Sequence, residues 1–393
     1  MTGGKRAENL LLCFCTGALL VLGVLMVWSA SSVSASTSSR LGHDPAYFFK
    51  RQVLFLFLGL CGALLASRID YDQYRVRIRW VLGGTLLLLA AVFVPGIRHA
   101  ANGASRWIDL RLFTFQPSEL AKFALLAYAA VSLDRREGRP ARGWISWLPM
   151  LLVLGVACGL ILKEPDFGMA VVVAAAFVTV LFLGGMPASL LGGLAAAGTA
   201  GAVLAVIAAP YRMARLTAFM DPFSQARSGG YQVVQSLIAF SNGGLLGTGI
   251  GAGKQKLLYL PEMHTDYIIA VIGEELGFLG VAAVGACYLT FVWVGFRIGR
   301  RARDPFGRYL AWGIALATGI QAMANMMVGL NILPPKGMVL PFLSYGGSSL
   351  VLHLASVGVL LNISLKGSEV AVAEAPGRGR GDRRTRVPGD RLG

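Results

Sequence analysis

The sequence predicts an all-α polytopic membrane protein, a bundle of about ten transmembrane helices with one large extracytoplasmic loop between helices 7 and 8. Three observations carry that expectation. Hydrophobic residues make up 55% and charged residues 14% of the 393 positions, against roughly a quarter charged in soluble domains, and the mean hydropathy is +0.63. The apolar residues gather in runs approaching the ~20 residues that span a bilayer. Lysine and arginine are distributed unevenly between alternate connecting segments, as the positive-inside rule requires.

Taken in order, the runs place spans near 10–30, 52–67, 80–95, 118–133, 145–162, 167–184, 187–209, 267–296, 309–330 and 343–365, bounded by charges, Gly or Pro. Lys5-Arg6 ahead of the first run resembles the start of a signal peptide. That run exceeds the usual apolar region and lacks a clear A-x-A site, so it reads as an uncleaved first span behind a short cytoplasmic segment, 1–9. With this terminus inside, about 22 of the 36 lysines and arginines fall on cytoplasmic segments and about 13 outside. Both termini are then cytoplasmic, and 10–366 forms one membrane domain. The segment 367–393, rich in Gly, Pro and Arg without an apolar period, reads as a disordered basic tail.

A net charge of +16 invites a nucleic-acid reading, which the placement of the charges excludes. Arg75, Arg77, Arg79, then Arg135, Arg136, Arg139, Arg142, then Arg297, Arg300, Arg301 and Arg303 sit in short loops, without the aromatic interleaving of a stacking platform. The five cysteines lie in apolar stretches with no CxxC spacing, so neither a disulfide framework nor a thiolate metal site is expected.

The connection 210–266 exceeds 50 residues, far beyond the ~4–6 of an ordinary loop. Tyr211, Phe219, Phe223, Tyr231, Phe240, Leu257, Leu258 and Tyr259 give it apolar anchors, and Gly243, Gly244, Gly247, Gly249, Gly251 and Gly253 permit tight turns. It is expected to be structured, partly helical, and laid on the bundle.

Ionisable groups at membrane depth are costly and therefore candidates for function. Glu119 and Lys122 follow Pro117 at a helix start with i,i+3 spacing, which puts them on one face. An internal ion pair and a substrate contact both fit. Asp166, in Glu164-Pro165-Asp166, suits a helix N-cap, and the two carboxylates could also meet a cation. Asp266 closes the long loop where it re-enters the membrane, within reach of a substrate whose tail stays in lipid. There a carboxylate can take a proton from an alcohol if burial tunes its pKa. Glu274 and Glu275 lie about 80° and 180° round the helix from Asp266 and need internal donors. His264 reads first as a loop histidine, since His-x-Asp is too short a pattern for zinc. Lys336 and the run Ser344 to Ser349 share the outer side and could cradle phosphate oxygens, and the Ser/Gly run equally suits helix packing.

The runs Gly103 to Trp107, Gln116-Pro117-Ser118-Glu119, Glu164-Pro165-Asp166, Arg215 to Pro222, Gly230-Tyr231-Gln232, Tyr259 to Tyr267 and Pro341 to Ser349 resemble, in order, the SEDS family of bacterial peptidoglycan polymerases. Gln255-Lys256-Leu257 and Leu333-Pro334-Pro335-Lys336-Gly337 are more similar to its division branch than to its elongation branch. The resemblance implies polymerisation of lipid II into glycan strands at the outer face of the bacterial inner membrane, at the division septum. It implies Asp266, in His264-Thr265-Asp266, as the catalytic base. Phe167, Met169, Tyr267, Ile269 and Pro335 depart from the family's usual residues without removing an ionisable group. Substrate contacts are then expected from Arg106, Glu119, Lys122, Arg212, Arg215, Lys254, His264, Thr265, Lys336 and Ser344, with Mg²⁺ or Mn²⁺ beside the diphosphate of a polyprenyl-linked donor. A class B penicillin-binding protein and other division proteins are the expected partners. A lipid II flippase is the rival reading; it would line a path through the membrane with polar groups, whereas here they concentrate at the outer rim.

Overall fold

The computed structural model describes residues 3–94, 98–101, 104–109, 113–137, 143–227, 229–257 and 259–373. Of the positions singled out above, Gly103, Arg139, Arg142, Leu258 and residues 374–393 lie outside these. The chain runs through α1 (Gly3–Thr37), α2 (Tyr47–Arg68), α3 (Asp72–Ala91), strands β1 (Arg98–Ala101), β2 (Ala104–Asp109) and β3 (Thr114–Phe115), α4 (Pro117–Asp134), α5 (Leu148–Lys163), α6 (Phe167–Leu183) and α7 (Ala188–Ile207). It continues with α8 (Pro210–Met220), α9 (Tyr231–Gly243), α10 (Ile268–Arg300), α11 (Pro305–Gly329) and α12 (Gly347–Ala373). Each of the ten apolar stretches coincides with a helix, and α8 and α9 occupy the long connection. Among the described residues, seven helices are long and apolar enough to cross a membrane. Those outside that set include α3, which opens on Asp72, Arg75, Arg77 and Arg79, and α6, which has only 17 residues. The chain is a multi-pass membrane protein.

Local sequence sets the ends of these helices. Proline stands in the first turn of α4, α5, α8 and α11, where its missing N–H costs nothing. Asp166 caps α6 by accepting from the Met169 N–H at 3.2 Å, and Asp304 caps α11 by accepting from the Gly307 N–H at 2.7 Å. The last span starts later than its apolar run suggests, because Ser344 accepts the Leu340 N–H at 2.9 Å and holds the preceding residues in a turn. The antiparallel sheet β1-β2-β3 was not foreseen. Its strands pair Ile108 with Phe115 and Asp109 with Thr114 just before α4, and they are too short to show a period of two.

In the bundle, α12 packs along α2, α10 along α11 and α1, and α4 along α11 and α3. By contrast, α7 buries none of its residues and takes the periphery.

The loop end of the bundle is organised by an interruption of α10 at Gly277, whose φ of 66° favours glycine. A continuous helix would bond the Phe278 and Leu279 N–H groups to the carbonyls of Glu274 and Glu275. Instead they donate to Gly244 O at 2.9 Å and Leu245 O at 3.2 Å, while the freed carbonyls accept from Thr248 N at 2.9 Å and Gly249 N at 3.0 Å. The glycine-rich loop after α9 is thus stitched into the break. Gly243 allows the approach, since a Cβ there would lie 1.9 Å from Gly273 O.

Both glutamates find the internal donors they need. Glu274 accepts from the backbone N–H groups of Lys254 and Gln255 and from Asn242 Nδ2, at 3.1, 3.1 and 3.2 Å. Glu275 accepts from Ser29 Oγ at 2.7 Å, Gly251 N at 2.9 Å and Lys256 Nζ at 3.0 Å. The Lys256–Glu275 pair is nearly solvent-free, with side chains 10% and 0% exposed, and removing one partner of such a pair strands the other charge. Lys256→Met is therefore expected to lower the unfolding free energy by about 3–5 kcal/mol, read as a fall in the melting temperature of the purified protein in detergent. An unchanged melting temperature would show the pair to be dispensable.

Candidate functional site

A cavity of about 420 Å³ opens at the loop end, lined by residues from α2, β2, α4, α6, the long connection and the segment between α11 and α12. Six parts of the chain deliver charged groups to it. Arg106 comes from β2, Glu119 from α4, Asp166 from the cap of α6, Arg215 from α8, Glu262 and Asp266 from the end of the long connection, and Lys336 from the segment before α12.

Asp266 is held by its main chain. Its N–H donates to Glu262 O at 3.0 Å, and the preceding carbonyls are also engaged: Tyr345 N donates to His264 O at 2.9 Å and Ser344 Oγ to Thr265 O at 2.5 Å. The Asp266 carboxylate lies against Gly337, where a Cβ would be 2.9 Å from Oδ2. Burial, then repulsion from Glu262, pushes its pKa up to about 7 against the opposing pull of Arg106.

Lys336 occupies a comparable seat. A Cβ on Gly168, in the first turn of α6, would fall 0.4 Å from its Nζ, so the absence of a side chain there makes room for the ammonium. That Nζ is buried with no hydrogen-bond partner among the described residues. Desolvation pulls its pKa down to about 8, resisted by the Asp166 charge. Arg106 donates through a terminal nitrogen to Pro165 O at 2.6 Å and through Nε to Glu164 O at 3.4 Å, and stands 3.9 Å from Asp166 Oδ2. The N-cap reading of Asp166 therefore holds, and the cation it meets is Arg106. Glu164 sits behind this turn with both carboxylate oxygens buried and unpartnered among the described residues, and burial lifts its pKa to about 8.

Beneath the cavity, Lys122 donates to Glu119 Oε2 at 2.7 Å and Gln321 Oε1 at 2.5 Å, and lies 3.3 Å from His353 Nε2. His353 Nδ1 meets the Ser349 carbonyl at 2.8 Å. A carbonyl only accepts and an ammonium only donates, so the proton is on Nδ1, Nε2 accepts, and the ring is neutral. The Glu119–Lys122 pair is internal, with Glu119 also forming cavity wall. Gln321 and His353 escaped the sequence reading because an uncharged polar residue barely perturbs an apolar helix.

The expected contacts divide accordingly. Arg106, Glu119, Arg215, Thr265, Asp266 and Lys336 line the cavity, and Lys122 supports it. Arg212 lines an adjoining, largely apolar cavity of about 240 Å³ formed by Val171, Val172, Val206, Leu216 and Val328, which shares Arg106, Arg215 and Lys336 with the first. Three expectations are corrected. Lys254 is exposed and enters the site region only through its backbone N–H on Glu274. His264 packs between Phe48 and Tyr345, with ring centroids 4.3 and 5.8 Å away. Ser344 spends its hydroxyl on Thr265 O and the Leu340 N–H, leaving it no role as a phosphate cradle. No three His, Cys, Asp or Glu side chains among the described residues gather as a metal site, and the carboxylates of the cavity face arginine and lysine. The residues present do not fit a protein-built Mg²⁺ or Mn²⁺ cage.

Comparison with known proteins adds a family context to this geometry. A family model for cell cycle proteins of the FtsW/RodA/SpoVE type matches residues 9–369. A protein of Geobacter sp. (strain M18) named probable peptidoglycan glycosyltransferase FtsW is 44% identical over 88% of this chain and 94% of its own length. A Coxiella burnetii protein of the same name is 41% identical over 89% and 94%. Among solved structures, a chain from a peptidoglycan synthase complex described as coordinating polymerization and crosslinking superposes with a TM-score of 0.72 at 30% identity, covering 91% of this chain and 97% of that one. The rod shape determining protein RodA of Thermus thermophilus gives 0.66 at 29% identity, covering 90% and 96%.

Asp266 carries a measurable stability cost. Its pKa is about 7 in the folded chain and about 3.9 when unfolded, so between those values the folded state binds more protons and stability falls as pH rises. Asp266→Asn is expected to melt at a higher temperature than the parent at pH 8, the gap narrowing toward pH 4. Equal melting temperatures at both pH values would mean that the Asp266 carboxylate is not desolvated as described.

Proposed function

The chain belongs to the FtsW/RodA/SpoVE family of cell cycle proteins, and from that premise we propose that it is a peptidoglycan glycosyltransferase that polymerises lipid II into glycan strands for septal wall synthesis, with Asp266 as general base. The observation that carries the reading is the pairing, in one cavity, of a half-buried carboxylate titrating near neutrality with a buried ammonium that has no hydrogen-bond partner among the described residues. Asp266 takes the proton of an acceptor sugar hydroxyl. The hydroxyl oxygen bonds to the anomeric carbon of the lipid-linked donor with inversion, and the bond from that carbon to the polyprenyl diphosphate breaks.

The departing charge needs cations. Lys336, Arg106 and Arg215 stand between the polar cavity and the apolar one, where a diphosphate with a polyprenyl tail would leave. Charge-assisted bonds from such groups in a water-poor site stabilise a leaving anion strongly. A Mg²⁺ or Mn²⁺ ion would take most of its ligands from the diphosphate and water, the usual habit of Mg²⁺. The internally satisfied Glu119–Lys122–Gln321–His353 cluster supports a floor to the cavity better than a polar path, which favours polymerisation over flipping.

The positive-inside count supports ten spans with both termini cytoplasmic and the cavity on the outer side of the inner membrane. The likeness to a chain of a peptidoglycan synthase complex supports a class B penicillin-binding protein as partner, and the FtsW names of the relatives support placement at the septum with other division proteins.

Purified with a class B penicillin-binding protein, the chain is expected to polymerise lipid II, and Asp266→Ala to reduce the rate by about 10²–10⁴, the usual worth of a general base. Polymer made at the parental rate by Asp266→Ala would overturn the assignment. Because Asp266 must be ionised and Lys336 protonated, the rate should rise toward pH 7 and fall above about pH 8. A profile flat from pH 5 to 9 would contradict these roles.

A further inference from the structure

Two residues of α11, one turn apart, reach the segments that carry Asp266 and Lys336. Gln321 Nε2 donates to Val339 O at 3.1 Å while its oxygen accepts from Lys122. Asn325 Nδ2 donates to two carbonyls on different segments, Asp266 O at 3.0 Å and Met338 O at 2.5 Å. Both acceptors are carbonyl oxygens, so the orientation of the amide is fixed by chemistry. Asn325 is 1% exposed, and its own Oδ1 is buried without a partner among the described residues. An unsatisfied buried acceptor is costly, and the return on that cost is what the two N–H bonds hold.

What they hold is the spacing of two strands of main chain. Asn325 completes a series in which the carbonyls of His264, Thr265 and Asp266 accept in turn from Tyr345 N, Ser344 Oγ and Asn325 Nδ2. The first two donors precede α12, on the segment that also carries Lys336. Asn325 alone of the three stands on a bundle helix, and it grips that same segment at Met338. We propose that Asn325 is a positioning residue for glycosyl transfer, fixing the main chain of Asp266 and that of the Lys336 segment to one point on α11 so that base and leaving-group cation keep a set separation. The inference rests on the roles proposed above for Asp266 and Lys336. Without the clamp the two segments separate, water enters between them, and the desolvation that poises Asp266 among Glu262, Asp166, Tyr267, Arg106, Arg215 and Lys336 is relieved.

The test uses the full chain with its penicillin-binding protein partner and lipid II, comparing Asn325→Leu, Asn325→Asp and Asp266→Asn. Aspartate keeps the shape and leucine the approximate volume, and neither ionised aspartate nor leucine donates. We expect kcat in both Asn325 variants to fall on the order of tenfold to a hundredfold, the scale of an ångström-level misplacement, with KM within about threefold. In Asn325→Leu the acid limb of the rate profile should move to lower pH, and in both variants hydrogen exchange should quicken together at 264–266 and 338–340 while the remainder of the bundle keeps its protection. If leucine prevents folding, the aspartate variant and its exchange pattern decide. Parental kcat and an unmoved acid limb in folded Asn325 variants, with Asp266→Asn inactive, would overturn the clamp alone. Exchange quickening throughout the bundle with an unmoved acid limb would also overturn it, by showing a general structural role. An active Asp266→Asn would instead overturn the catalytic reading beneath it.

Discussion

The interruption of α10 at Gly277 is the constraint on which the loop end of the bundle depends. A helix crossing a membrane satisfies its own backbone, and breaking it releases donors and acceptors that must be met again. Here the glycine-rich loop meets them residue for residue, so that the break becomes a docking site for the chain that leads to Asp266. Glu274 and Glu275 extend the same device into side chains by gathering the backbone N–H groups of 251, 254 and 255 and the ammonium of Lys256. Nothing in that arrangement touches the cavity directly. Its effect is to convert a connection of more than 50 residues from a loop with many conformations into a support with one, at the entropic cost that so many internal bonds offset.

From that support, the site is built by main-chain anchoring more than by side-chain pairing. The carbonyls of His264, Thr265 and Asp266 are each held, which leaves the Asp266 carboxylate directed by its backbone and, among the described residues, without an ion pair within bonding distance. Gly337 and Gly168 then supply space for Asp266 and Lys336 respectively. A carboxylate kept from salt-bridging is poorly stabilised as an anion, and an ammonium kept from hydrogen bonds is poorly stabilised as a cation. Both conditions raise ground-state energy in the interest of reactivity, which is where a functional site departs from the rules that govern the rest of a fold.

The sequence made some of this readable and concealed the rest for identifiable reasons. Apolar runs located the helices because hydropathy is a bulk property of ~20 residues, and a charged residue in or beside them stands out against that background, which is why Asp266, Glu119, Lys122 and Lys336 could be singled out, whereas Arg106 entered through the family resemblance. Ser344 and His264 were misassigned because a hydroxyl or an imidazole near a proposed site looks the same in sequence whether it faces the cavity or holds the chain behind it. Lys254 and Lys256 are neighbours of equal charge, and only the loop's turns determine that the second goes inward to Glu275 while the first faces out. Gln321, Asn325 and His353 are single polar residues in apolar helices, and their importance lies in partners 13 to 231 positions away. The small sheet before α4 is built from strands shorter than any period that would announce them.

The wall shared by the two cavities carries a consequence of its own. Arg106, Arg215 and Lys336 bound a space that holds Glu262, Asp166 and Asp266 on one side and a largely apolar one on the other, so the row of cations behaves as an interface between two solvents fixed in protein. A molecule with a charged head and an oily tail can rest across that line with each end in its preferred medium. Chemistry placed there avoids the expense of drawing the oily end through water or the charged end through oil, and the boundary that the bilayer supplies everywhere else is reproduced, at the scale of a few side chains, inside the fold.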